Sequence, residues 1–254
     1  MTPFTSTEWR PRNHRKDVFR LNPLTHEWNL SPKQAVALQK KLAEQVILDT
    51  HLKAVETIAG VDVGIKKDIA KAAVVVLAFP ELKVIDYAVA SGPVPMPYIP
   101  GLLSFREGPV IIEAMNLLSV PPDLLIFDGQ GIAHPRRMGI ASHIGVLLDM
   151  PTIGCAKSRL CGDHSEPGEK KGSGAQLTHN GEKIGTVLRT RDRVKPVFVS
   201  PGHRVDFDEA VDLVLACCTR YRLPETTRWA HNVAAGKIPP TMKTDTNRTP
   251  SNIP

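Results

Sequence analysis

Apolar positions along this chain fall into two rhythms. Ala35, Leu38, Leu42 and Val46 recur at helical spacing behind Ser31-Pro32, with Lys33, Lys40, Lys41 and Glu44 left for solvent. Serine caps and proline suits a first turn, so the spacing predicts an amphipathic helix starting there. Three β-rich runs follow, over 57–64, 72–79 and 83–90, the last two joined by Pro80-Glu81-Leu82. A link that short predicts a hairpin, and the three runs together an antiparallel meander. Residues 102–118 read as a helix in which Pro109 either makes a kink or marks the true start. Leu124 to Phe127 is a buried strand, 137–149 a helix and 151–156 another strand. Strand–helix–strand alternation implies parallel pairing with a right-handed crossover.

Beyond that point the pattern weakens. Residues 163–174 are polar and glycine-bearing, the composition of a mobile surface loop. Two strands are predicted over 182–190 and 196–200, a turn at Pro201-Gly202-His203-Arg204 and a helix over 207–221. The ends differ from the middle: 1–30 is an irregular basic arm, and 236–254 a polar, proline-rich tail of disordered composition. One domain over 31–235 remains, an α/β unit with a mixed sheet flanked by helices.

Composition narrows the class. At 254 residues, folding buries about 75% of the unfolded surface, ample for a core. The net charge of +6 and pI near 9.2 favour a polyanionic partner, though weakly by themselves. Cys155, Cys161, Cys217 and Cys218 lack zinc or redox spacing and read as reduced thiols of a cytoplasmic protein. There is no run of about 18 apolar residues, hence no expected membrane span.

Two acids stand out against this background. Asp62 lies inside an apolar strand, and Asp128 ends one, just before Gly129-Gln130-Gly131 and the basic His134, Arg136 and Arg137. A buried carboxylate stripped of its partner costs about 3–5 kcal/mol, so two such acids call for cations. If the first and fourth strands are neighbours, both converge at one sheet edge, and Glu107 could join from the intervening helix. An all-oxygen donor set suits Mg²⁺ or Mn²⁺. His203, on its predicted turn, is a candidate proton shuttle or ligand. Plain structural readings stand beside these: salt-bridged or capping acids, a solvated Glu107 next to Arg106, turn chemistry at His203. Gly129-Gln130-Gly131 lacks the third glycine of a dinucleotide fingerprint.

The combination is more specific than its parts. Ala59-Gly60-Val61-Asp62-Val63-Gly64, the run from Pro97-Tyr98-Ile99-Pro100-Gly101 to Arg106-Glu107, and Asp128-Gly129-Gln130-Gly131-Ile132-Ala133-His134-Pro135-Arg136 resemble the endonuclease V family, bacterial type. Gly154-Cys155-Ala156-Lys157-Ser158-Arg159-Leu160 and Gly202-His203-Arg204 agree in order. The resemblance implies a ribonuclease H-like fold, a Mg²⁺ site (Mn²⁺ as substitute) and hydrolysis of the second phosphodiester bond 3′ to deoxyinosine, leaving 3′-hydroxyl and 5′-phosphate ends. It assigns catalysis to Asp62, Glu107, Asp128 and His203, the three acids holding metal. It makes Tyr98 and Ile99 a strand-separating wedge, puts Gly101, Leu103, Gly129 and Gly131 around the extruded base, and sets His134 and Lys157 beside the substrate. Gln130 replaces a histidine of many relatives, which leaves base preference open.

The expected partner is therefore DNA containing deoxyinosine, or RNA containing inosine, with the protein a monomer. A backbone N–H of the Gly-x-Gly turn could donate to the base carbonyl and reject adenine. Arg136, Arg137, Arg159 and the arm arginines are candidate phosphate contacts. Two other readings stay open: a related nuclease for other damaged or branched DNA, and a non-catalytic reader of modified nucleic acid.

Overall fold

Long apolar runs need cover on both faces, and the sheet at the centre of this protein receives it. In the computed structural model, which describes residues 26–49, 52 and 54–238, eight strands are ordered β3-β2-β1-β4-β5-β8-β7-β6. The strands are β1 (Thr57–Lys66), β2 (Ile69–Ala78), β3 (Lys83–Pro93), β4 (Leu124–Phe127), β5 (Thr152–Ala156), β6 (Gly174–His179), β7 (Glu182–Leu188) and β8 (Val197–His203). β1, β2 and β3 form the expected antiparallel meander, β4 lies parallel to β1, and β5 parallel to β4. β8, β7 and β6 continue antiparallel to the far edge.

Alternation along β2 shows how the layers form. Ala73, Val75 and Leu77 face one core, shared with Ile58, Leu124 and Ile126 and covered by Val214, Ala230 and Val233. Ala72, Val74 and Val76 face the other, covered by Val110, Ile111, Ala114, Ile140 and Ile144. The covering helices are α2 (Leu103–Asn116) and α3 (Ile140–Leu148) on the second face, α4 (Phe207–Ala216) and α5 (Glu225–Ala234) on the first. α1 (Pro32–Ala43) packs Leu42 against Met138 and Val146. Its cap is the predicted one: Ser31 Oγ accepts from the Gln34 N–H, and the Gln34 side chain accepts from the Ser31 N–H. Among the described residues no helix is long and apolar enough to cross a membrane.

The structure departs from the sequence reading in several places. α2 runs through Pro109 without restarting there. The helix predicted over 207–221 ends at Ala216, and a separate helix, α5, follows Pro224. Its buried face is Thr226, Thr227, Ala230 and Val233, a helical spacing disguised by threonines. β6 went unpredicted because only Leu177 of its six residues is buried. The polar loop ahead of β6 is tied down: Arg189 donates to Gly168 O at 3.0 Å and Pro167 O at 2.9 Å, and pairs with Glu166 at 2.8 Å.

The end of the arm is likewise part of the fold. Trp28 lies so close over Gly108 of α2 that an added Cβ would come within 2.3 Å of its ring. The arm up to residue 25, with its arginines, and the tail from 239 lie outside the described residues.

Candidate active site

β1 is the longer of two parallel neighbours, and the site forms where β4 stops beside it. The register pairs Val61 with Phe127, so Asp62 and Asp128 come next, level with each other. The Asp128 N–H donates to Val61 O at 3.3 Å, holding the acid at that edge. Both carboxylate side chains are mostly buried, at 14% exposure. The sequence expectation of two converging acids on neighbouring strands describes this arrangement.

Glu107 joins from the second turn of α2. Burial, reinforced by the charges of Asp62 and then Asp128 and only partly opposed by Arg106, pushes its carboxyl up to about 8. Asp62 is also raised, by burial first and then by Asp128, against the lowering influence of His231 and Lys157. Two side chains answer these acids directly. Lys157, just past β5, pairs with Asp128. His231 Nδ1 lies 3.1 Å from Asp62 Oδ2.

Sequence reasoning missed His231. Its nearest signal was the Thr226–Val233 helical spacing, and its partner lies 169 residues away. Gly60 explains the contact. A Cβ there would fall 2.0 Å from Thr226 O, so only glycine lets α5 sit directly on β1 and carry His231 to Asp62.

The donor set fits a hard divalent cation. It is three carboxylates with charge in excess, and burial first, then that excess, raises the proton affinity of two of them. Among the described residues no three Asp, Glu, His or Cys side chains already form a metal cage. The acids meet as interacting charges rather than as a finished coordination shell.

Beside the acids an open cleft of about 390 Å³ is lined by Tyr98, Gly101, Leu103, Gln130, His134 and Leu160, among others. Leu103 and Glu107 are four residues apart on α2, about 6 Å along the axis, so cleft and acids are neighbouring stations. Tyr98 is 64% exposed, held up by the proline-flanked turn. Ile99 is not: it packs with Met96, Leu102 and Phe105 and anchors the turn from below.

Three donors, Gln39 Nε2 at 2.9 Å, Arg136 Nη2 at 2.8 Å and His134 Nε2 at 3.0 Å, converge on the carbonyl of Gly101, whose φ is +79°. His134 is buried, and burial, with Arg136 beside it, lowers it to about 4. In its neutral form it braces this turn.

Of the Gly129-Gln130-Gly131 turn, Gln130 contributes to the lining of this cleft. Gly131 serves packing, since a Cβ would meet Pro201 O at 2.0 Å. Its N–H is spent on Ser200 Oγ at 2.9 Å and is not free for a base carbonyl. His203 is not in the acid group. It closes β8 opposite Thr152, at the start of β5, whereas Asp128 lies beyond the opposite end of neighbouring β4. There it is buried, accepts from the Ile47 N–H at 3.3 Å and faces Asp149 at 3.3 Å. Its flanking Pro201 and Gly202 disguised a strand as a turn. Arg136, Arg137 and Arg159 are engaged within the protein, with Gln39, Glu182 and Asp163 respectively.

Comparison with known proteins gives the same direction throughout. Residues 40–232 match the family described as Endonuclease V. The Endonuclease V of Nostoc punctiforme is 50% identical over 215 residues, covering 84% of this chain and 97% of that one. The crystal structure of the Endonuclease V of Streptomyces avermitilis superposes with a TM-score of 0.79 at 43% identity, over 86% of this chain and 96% of that one. The Ciona intestinalis Endonuclease V, in complex with a 24mer DNA containing an inosine followed by a ribo-adenosine, has a TM-score of 0.70 at 26% identity, over 81% of this chain and 96% of that one. By sequence and by ribonuclease H-like fold, this chain belongs to the endonuclease V family.

Proposed function

We propose that this protein is a cytoplasmic, Mg²⁺-dependent repair endonuclease acting on deoxyinosine in DNA and cutting the second phosphodiester bond on the 3′ side. The observation that carries it is the level pairing of Asp62 and Asp128 on adjacent strands, with Glu107 and a cleft one helical turn away. A relative's complex with inosine-containing DNA supports the substrate.

Asp62, Asp128 and Glu107 would hold the ion, whose bound chemistry is to neutralise phosphoryl charge and acidify a water. The chain's own groups do the rest. His231, against Asp62 and largely exposed, is placed to take or return a proton at its Nδ1 or Nε2. Lys157 can move from Asp128 to a phosphate oxygen when the carboxylate finds another cation. Tyr98, exposed at the cleft rim, can fill the stack left by an extruded base. The cleft takes the base while the acids address the backbone, so recognition and cutting are offset along the strand.

The test is nicking of a duplex carrying one deoxyinosine in Mg²⁺. Cleavage that EDTA stops and that Asp62→Ala or Asp128→Ala abolishes is the expected result. Cutting retained by those variants contradicts the mechanism, and tight binding without turnover in Mg²⁺ or Mn²⁺ makes the protein a reader instead.

A further inference from the structure

Gln130, which lines the cleft, carries a polar atom that the free protein leaves unanswered. Gln130 is 9% exposed, and its Oε1 is buried with no hydrogen-bond partner. Its Nε2 is committed, donating to Ser158 O at 2.9 Å. Turning the amide over would set two acceptor oxygens against each other, so the Ser158 carbonyl fixes which end of Gln130 remains free. A buried acceptor without a donor is a cost to the free protein and a preformed contact for a ligand that brings one.

We infer that Gln130 determines specificity at the cleft, its Oε1 accepting the N1–H of the hypoxanthine ring. This rests on the reading of the cleft as the base pocket. The chemistry selects the base directly. Hypoxanthine carries a proton on N1. Adenine carries a lone pair there, which would face the Oε1 lone pairs. Guanine also has N1–H, so this contact separates hypoxanthine from adenine only. The side chain takes up a task that the Gly131 N–H, already bound to Ser200, does not perform.

The experiment compares wild type with Gln130→Met and Gln130→Leu on matched duplexes carrying one deoxyinosine, deoxynebularine or deoxyadenosine. Deoxynebularine lacks both N1–H and the 6-oxygen. kcat/KM for nicking is measured, together with Kd by fluorescence anisotropy, which needs no turnover. The expected result is a loss of inosine-over-nebularine preference of about tenfold in each variant, falling on the inosine duplex. Adenosine binding should hold or improve once the opposing acceptor is gone.

An unchanged preference overturns the inference, whether the variants are fully active or uniformly weaker. So does weaker adenosine binding, which would mean that the amide N–H faces the base. Wild type that fails to nick the inosine duplex defeats the parent reading. Wild type that nicks it while the preference stays fixed defeats this inference alone.

Discussion

Glu107 is held in a state that suits function rather than stability. Its carboxyl, pushed up to about 8 by burial and by the neighbouring acids, resists ionising in the metal-free protein. Glu107→Gln removes that conflict. It should raise the melting temperature of the metal-free chain by about 2–4 °C, as about 1 kcal/mol does at this size, while abolishing Mg²⁺-dependent nicking. Calorimetry and a nicking gel check the two halves. His231→Ala should lower kcat by about 10²-fold or more if the imidazole handles a proton, with the fold intact by circular dichroism.

Buried histidines set the acid limit. Burial lowers His143 to about 3, with His26 adding to it, and lowers His134 to about 4. Unfolded, both titrate near their ordinary value of about 6.5. Between those values the unfolded chain binds protons that the folded chain refuses, so stability falls as pH drops from about 6.5 toward 4 and 3. Urea unfolding should show this decline, and His143→Gln should flatten its lower part.

Legibility at this scale followed chemistry. Asp62 and Asp128 were readable because an acid in an apolar run needs a reason. His231 was not, because an exposed histidine on a polar helix carries no local sign of a partner so distant. His203 showed the converse error, its neighbours Pro201 and Gly202 imitating a turn.

Among the elements, the contact of α5 with β1 decides whether the site assembles. Gly60 permits it. Gly60→Ala drives a side chain into the α5 backbone, which should cost about 1–3 kcal/mol in urea unfolding and displace His231, lowering nicking as well. β1 to β5 were readable from hydrophobic runs and short links, because both faces of those strands are covered. α5 and β6 were not: threonines fill half of one buried face, and the other is an edge strand with a single buried side chain. Neither case departs from the physics of periodicity; the apolar signal was simply thin.

Taken whole, the molecule is a positively charged body with a cluster of acids inside it. The overall +6 charge attracts the DNA backbone, and the acids require a cation to approach it. Binding to an inosine duplex should weaken steeply between 50 and 200 mM salt, with log Kd linear in log salt. Mg²⁺ should raise the melting temperature of wild type, since a ligand bound only by the folded state stabilises it. It should do so far less for Asp62→Asn combined with Asp128→Asn, a readout independent of catalysis.

The most direct test is a cleavage map at nucleotide resolution on a duplex with one deoxyinosine in Mg²⁺. A single nick at the second phosphodiester bond 3′ to the lesion, leaving a 3′-hydroxyl and the inosine still in its strand, is the predicted result. Cuts scattered along the duplex, or a nick unaffected by replacing inosine with adenosine, would contradict the pairing of one cleft with one set of acids.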